Sequence, residues 1–439
     1  MASFSIPLTG LEADSTALNT IANDLSNMNT TAFKSETTNF SDLFYQQIGS
    51  TGAGDPIQVG AGTKVANTET DFTAGTPNST GLASNVALQG SGFFVVGDGA
   101  NQYLTRNGDF QTDANGNLVT SNGESVMGYP VGANGAIDTA APIGAINIPM
   151  DQVQQPQATT TMSIAGNLEA GAPATTSFPS TITVYDSLGE PQQATITFTP
   201  GAAANTWNYS AQLPASAYSA VAPDVPPAAI TGTLNFNPDG TLASVQPTGA
   251  QAATPVGTGA NDVQSIDLNF NPAATNVLAD GAAGLDIQWN LLGAAGTPNI
   301  SQVAASTSSV SSNTQNGYTT GEYQGYSIGS DGTVSVSYSN GNNNVLVGQL
   351  ALANVANEQG LQQLGNGEYA TTSASGTAAI GISGSGGLGT MEDDALEASN
   401  VNISSEFSDL IVAQRAFEAN AKSVTTFDQV EQDTINMVH

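Results

Sequence analysis

Cysteine is absent from this chain of 439 residues, so disulfide frameworks, thiolate metal sites and thiol catalysis are excluded. The one histidine is His439, which leaves a Ser/His/Asp triad or an imidazole metal site almost nothing to work with. Only Trp207 and Trp289 are available to stack a sugar ring, which argues against paired-carboxylate glycoside hydrolysis. Positive charge is scarcer still: Lys34, Lys64, Arg106, Arg415 and Lys422 stand against 37 acidic residues, for a formal net charge of -32. Nucleic acid and anionic membranes need clustered Lys and Arg, so neither is expected as a partner. No run is long and apolar enough to span a bilayer. The stretch "MASFSIPLTGLEAD" has neither a basic n-region nor an apolar h-region, so any export is expected to proceed without a cleaved signal peptide.

What is present is polar and turn-rich. Charged residues make up 10% and hydrophobic residues 39%, so Gly, Ser, Thr, Asn and Gln must fill the surface, a composition of strands and turns. The length allows two or three domains.

Both ends follow a helical period instead. Leu8, Leu11, Ser15, Leu18, Ala22, Leu25 and Asn29 alternate spacings of three and four, with Ile21 and Met28 beside them. They predict a heptad-like seam on a helix of roughly 25 residues, with Ser5 as cap and Pro7 in the first turn. Ile403, Phe407, Leu410, Gln414, Phe417, Ala421, Val424, Asp428, Glu431, Ile435 and Val438 repeat the alternation over roughly 35 residues, with Asn402 or Ser404 as cap. The seams could pair antiparallel within one chain. Their length and single apolar face, with no polar segment after Val438, point rather to packing between copies.

Between the ends the period is two. Asn107-Gly108, Asn115-Gly116 and Asn122-Gly123 separate short apolar runs, as Asp331-Gly332 and Asn340-Gly341 do later, and Asn-Gly predicts type I′ hairpins. Phe93, Phe94 and Tyr103 read as core. "GSGFFVVG", Gly90 to Gly97, runs into a strand rather than a phosphate-holding helix, and "DANGN", Asp113 to Asn117, lacks the end ligands of a calcium loop. The expected fold is mixed α and β, with paired terminal helices forming a coiled-coil-like core and two mainly antiparallel β domains nested in sequence. The expected parts are a helical domain at 1–30 and 400–439, a linker at 31–77 with 391–399, a split β domain at 78–148 and 312–390, and an inserted outer β domain at 149–311.

The terminal segments resemble the bacterial flagellar rod and hook axial proteins. "LTGLEADSTALNTIANDLSNMNTTAFKSE" is similar to the N-terminal signature, ending in Asn29, Thr30, Phe33 and Lys34. "LEASNVNISSEFSDLIVAQRAFEANAKSVTTFDQV" is similar to the C-terminal one, with Ser399, Asn400, Val401, Gln414, Arg415 and Asn420. "TVYDSLG", with Asp186, Ser187, Leu188 and Gly189, "GYTTGEYQGYSIGSDGTVSVSYSNG" and the long insert favour the hook branch over a distal rod protein. A secreted adhesin would leave the terminal seams unexplained. Ala32 stands where the family usually has Gly, so positive φ is not expected there.

The resemblance implies a non-enzymatic, cofactor-free subunit of a helical homopolymer outside the cell, a flexible universal joint passing torque from rod to filament. It also implies contacts with the distal rod protein, the hook cap, the hook-filament junction protein and the hook-length control protein. Leu8, Leu11, Leu18, Ile21, Leu25, Ile403, Phe407, Leu410, Phe417 and Val424 are the candidates for packing in the polymer's inner core.

Overall fold

The computed structural model describes residues 5–50, 55–98, 101–218, 228–248, 265–270, 278–293, 296–304 and 307–437. Val438 and His439 lie outside them. The chain forms two compact units: residues 1–150 with 325–337 and 343–439, and residues 151–324 with 338–342.

In the first unit, helix α1 is Ser5–Ser26 and helix α2 is Ile403–Met437. The Asn402 carboxamide oxygen accepts from Ser404 N at 3.0 Å and Ser405 N at 3.4 Å, capping α2 as its sequence predicts. Residues 31–77 carry regular structure: strand Glu36–Asp42 pairs antiparallel with Thr63–Thr70, and Gln46–Ser50 with Pro56–Val59. Beyond them, Phe93–Gly97 lies between Gln102–Thr105 and Ser125–Pro130. Leu352–Asn354 pairs with the same strand, and Val345–Leu350 pairs with Ser125–Pro130. Segments far apart in sequence thus interleave in one sheet. Its core holds Phe93, Val95, Leu104, Tyr129 and Ala353. Tyr103 is only half-buried, while Phe93 and Phe94 are fully buried.

The second unit has a five-stranded antiparallel sheet made from Phe178–Tyr185, Pro191–Pro200, Thr206–Gln212, Ile230–Phe236 and Leu242–Thr248. Alternate residues point inward in the period-two pattern, and Val184, Ile196, Trp207 and Leu234 join Ile287 and Trp289 of another sheet in one core. The Tyr209 and Trp289 rings meet edge to face, 5.6 Å apart. In the other sheet Thr161–Glu169 runs parallel to both Asp286–Asn290 and Ile300–Val303, an exception to the antiparallel expectation, because alternation does not encode strand direction. Ser309–Gln315 pairs with Thr161–Glu169, so the boundary expected at 311/312 falls inside a strand of this unit.

The turns differ from expectation in detail. Gly116 and Gly123 have positive φ but their asparagines do not, so these hairpins are not type I′. Asp113 Oδ1 instead accepts from Asn115 N and Asn117 N, both at 2.8 Å, and "DANGN" is an Asx-stabilised turn. Asn107-Gly108 is no hairpin: Gly108 O accepts from Val86 N at 3.1 Å, and a Cβ on Gly108 would strike the Val86 carbonyl. Ala32 also departs from the sequence reading. It is buried with φ +56°, its N–H bonded to Glu397 O at 2.8 Å. The buried bond holds alanine in a conformation that glycine adopts more cheaply.

The "DSLG" turn joins Phe178–Tyr185 to Pro191–Pro200. Buried Asp186 accepts from Leu188 N at 2.9 Å and Glu190 N at 3.0 Å through Oδ1, and Ser187 Oγ accepts from Ala283 N at 3.2 Å. Gly189 has φ +85°, and a Cβ there would lie 2.6 Å from Pro156 Cβ, whereas Leu188 is exposed. We expect Asp186→Ala, which strands two backbone donors, to destabilise this unit by about 1 to 3 kcal/mol in denaturant titrations followed by tryptophan fluorescence. Asp186→Asn, which keeps an acceptor, should retain most of that stability.

Candidate functional site

The site is the helix pair and the knot that anchors it. On α1 the buried positions are Pro7, Gly10, Ala13, Ala17 and Asp24, a stripe of mainly small residues. Small side chains let a second helix approach closely: a Cβ on Gly10 would fall 2.6 Å from Asn420 Nδ2. Asn420 Nδ2 donates to Asp14 Oδ2 at 2.8 Å, and Asp24 lies near Glu406, so α1 and α2 run antiparallel. The other flank of α1 follows the 36–70 ribbon through Glu36 N to Asp24 Oδ2 at 2.9 Å and Thr38 Oγ1 to Thr20 Oγ1 at 3.0 Å.

Within one chain the leucine seam is not the face that meets α2. Leu11, Leu18 and Leu25 lie about 100° round α1 from the small stripe and remain half-exposed, as does Ile21, while Leu8 is exposed. No described residue of α2 is buried. Its edge towards α1 is Glu406, Leu410, Ala413, Ala416, Asn420 and Val424, all half-buried; Ile403, Phe407 and Phe417 are exposed. Of the α2 apolar candidates, therefore, only Leu410 and Val424 are half-buried on the edge that meets α1; Phe417, midway between them, is 37% exposed.

Beside the helices is a knot that gathers the motif residues Lys34, Ser399, Asn400 and Val401. Lys34 Nζ donates to Thr73 O at 2.8 Å and to Glu397 Oε1 at 2.5 Å. Arg106 Nη1 stands 3.7 Å from Glu397 Oε2, with its guanidinium 5.4 Å from the centroid of the Phe93 ring. All three charged side chains are buried, so two of the chain's five cations enclose one carboxylate. Burial pulls the Lys34 ammonium and the Arg106 guanidinium below their ordinary pKa values, and Glu397 opposes the shift in both. Glu397 is positioned by the strand Ala395–Glu397, paired with Pro77–Ser79, and also accepts from Gly75 N at 2.8 Å.

Asn400 ties the adjoining backbone. Its Oδ1 accepts from Ser35 N at 2.8 Å, and its Nδ2 donates to Asp71 O at 2.7 Å and Thr73 O at 3.2 Å. Ser399 Oγ accepts from Val401 N at 3.3 Å. Thr30 Oγ1 donates to Asn27 Oδ1 at 3.0 Å, and Phe33 N to Thr30 O at 3.3 Å; Asn29 is exposed on this turn. Gln414 and Arg415 lie apart from the knot, on exposed α2, with Glu418 as shared partner.

Asp24 is the other charged anomaly. Fully buried, with Oδ1 lacking a hydrogen-bond partner, its carboxyl is pushed up to about 6, chiefly by desolvation and further by Glu406 and Glu36. The folded chain therefore holds this proton more tightly than the unfolded chain. That stability is fully present below about pH 4 and is lost as the pH rises through about 6, a change on the order of 2 to 3 kcal/mol. We expect helix melting, followed at 222 nm, to move to higher temperature from pH 7 to pH 5, and Asp24→Asn to flatten that dependence.

The sequence reading missed Glu397, one acid among 37, and the partners of Arg106. It also passed over Gly10, Ala13, Ala17 and Asp24, whose spacings of three, four and seven mark a second helical stripe.

Comparison with known proteins assigns this architecture. Residues 87–167 match the profile described as the flagellar hook protein FlgE/F/G D1 domain, residues 157–318 the flagellar basal body protein FlaE D2 domain, and residues 392–437 the flagellar basal body rod FlgEFG protein C-terminal. The flagellar hook protein FlgE of Salmonella typhimurium is 34% identical, covering 99% of this chain and 100% of that one. Those of Escherichia coli and Borreliella burgdorferi are 33% and 32% identical, with 99% and 98% of this chain and of the relative covered. The crystal structure of Helicobacter pylori flagellar hook protein FlgE2 shares the fold, with a TM-score of 0.51 at 14% identity over 73% of this chain and 100% of that one. Matched over 98 to 99% of its length by hook proteins, and by family profiles over residues 87–318 and 392–437, the chain belongs to the flagellar hook protein family.

Proposed function

We propose that this hook subunit works by burying between copies what α1 and α2 leave uncovered within one. The observation that carries this is the outward apolar surface of the helices: Leu8, Ile403, Phe407, Ile411 and Val430 are each 45 to 57% exposed, and Val412 is 68% exposed. Covering the remaining exposed part of each such side chain contributes roughly 0.7 to 2 kcal/mol. The helices then form a coiled-coil-like inner layer that carries torque, with Leu8, Leu11, Leu18, Ile21, Leu25, Ile403, Phe407, Leu410, Phe417 and Val424 in its contacts. A head-to-tail contact of this kind does not close, so it extends into a helical polymer. The polar β surfaces outside change neighbours as the joint bends, since weakly interlocked contacts slide more readily than a packed core.

The role is structural rather than enzymatic. The chain leaves the cell without a cleaved signal, its helices fold fully on assembly, and it meets the rod, cap, junction and length-control proteins at the ends of the polymer. Electron cryomicroscopy of the polymer tests this reading: α1 and α2 of successive copies should line a central channel. A tube built through the β units, with the helices free outside it, would overturn the reading.

A further inference from the structure

Alongside its contact with α1, α2 borders a groove of about 340 Å³ against α1 and strand Glu36–Asp42. Its lining joins two chemistries: Ala17, Ile21 and Val412 are apolar, while Glu36, Glu406 and Asp409 are acidic. Nothing basic lines it. Burial and the neighbouring Asp409 hold the Glu406 carboxyl above its ordinary range, and Asp24, close to both Glu36 and Glu406, keeps a buried oxygen unpartnered. Among the described residues no group of acidic side chains converges to hold a metal ion. What suits such a groove is a long side chain with an apolar stem and a cationic tip, and a guanidinium fork matches carboxylates best.

The chain carries that side chain on the far side of the same helix. Arg415 is 78% exposed and pairs only with Glu418 at 3.1 Å, a surface contact of little worth. At 3.6 residues per turn it stands about 180° round α2 from the edge that meets α1, and Lys422 lies two turns on along the same face. Beside Arg415 on that face, Ile411 is exposed. Lys64, the other exposed cation, stands on strand Thr63–Thr70.

We propose that Arg415 of a second copy of the chain seats in this groove, its stem along Ala17, Ile21 and Val412 and its guanidinium among Glu36, Glu406 and Asp409. On α2 the groove carboxylates of Asp409 and Glu406 lie about 120 to 180° round the helix from Arg415 and more than a turn before it, and Arg415 turns to Glu418 instead, so a copy does not satisfy its own groove. The contact is head-to-tail and propagates. In a chain this acidic the groove also selects its partner, because few other surfaces of a neighbour carry positive charge.

The inference rests on the hook reading, and charge exchange tests it separately. Polymer formation by the purified full chain is followed by sedimentation and electron microscopy, with 222 nm ellipticity and tryptophan fluorescence confirming that each variant folds. R415E alone and D409R alone should each require at least tenfold higher concentration to polymerise. An equimolar mixture should copolymerise near the wild-type concentration, because each variant supplies what the other's groove or cation face needs, and so should the double variant R415E/D409R. E406K replaces D409R if the latter loses helix signal. R415E polymerising like the wild type, or a mixture that stays monomeric, overturns the proposal. R415E/E418R keeps the net charge but moves the cation; rescue by it equal to that by D409R would show that total charge, not this groove, governs assembly. Failure of the unaltered chain to polymerise would instead strike the hook reading itself.

Discussion

Glu397→Gln is expected to unfold the first unit at far lower denaturant while leaving the second unchanged. The substitution keeps an acceptor for Gly75 N but strips the charge that faces Lys34 and Arg106, both 2% exposed. Two buried cations would then stand without a counter-charge, and breaking a buried pair costs on the order of 3 to 5 kcal/mol. The molecule offers separate reporters. Both described α-helices belong to the first unit, and Trp207 and Trp289 both belong to the second. Ellipticity at 222 nm should therefore lose its transition midpoint while tryptophan fluorescence keeps its own. Coincident loss of both would refute independent units. Replacing all three charges together, as K34M/R106M/E397Q, should recover most of the lost stability, because apolar side chains of similar volume satisfy such a site. A triple variant as weak as Glu397→Gln would show that the knot depends on its hydrogen bonds rather than its charge balance.

The second large effect is expected in assembly. Phe407 is 53% exposed in the single chain, so Phe407→Asp should leave the monomer's melting curve nearly unchanged. In the polymer it places a carboxylate in an apolar contact. A loss of at least 1.5 to 3 kcal/mol per contact raises the concentration needed to polymerise by about ten- to hundredfold. Leu410→Asp should do the same and also loosen α2 from α1, since Leu410 lies half-buried on the edge that meets it. Normal hooks from cells carrying Phe407→Asp would remove α2's outward face from the account of assembly.

The sequence disclosed the elements better than their contacts. Both helices were legible because a three-four alternation sustained over many turns has no strand alternative, and Asn402 marked the start of the second. Most Gly-containing turns were legible because Gly116, Gly123, Gly332 and Gly341 take positive φ. Which face of a helix packs was not. Leucine periodicity reveals an apolar stripe but not its partner, and the chain uses the smaller Gly10, Ala13 and Ala17 for its own helix contact. Glu397 was hidden for another reason. An acidic residue reads as solvated until the fold brings Lys34 and Arg106 to it from hundreds of residues away. The conformation of Ala32 was concealed because a buried hydrogen bond overrides a backbone preference of only 1 to 2 kcal/mol.

With Lys34 and Arg106 locked inside and Arg415 and Lys422 on α2, only Lys64 remains among the lysines and arginines to offset carboxylates away from the helices. A hook built of such copies is a polyelectrolyte tube. On the inner side of a bend, neighbouring copies crowd like charges together, and that crowding resists curvature. Counterions screen it over about 8 Å at physiological ionic strength and over about 30 Å in dilute media. Part of the tube's bending rigidity is therefore set by the surrounding water, and the same joint is stiffer in fresh water than in brine.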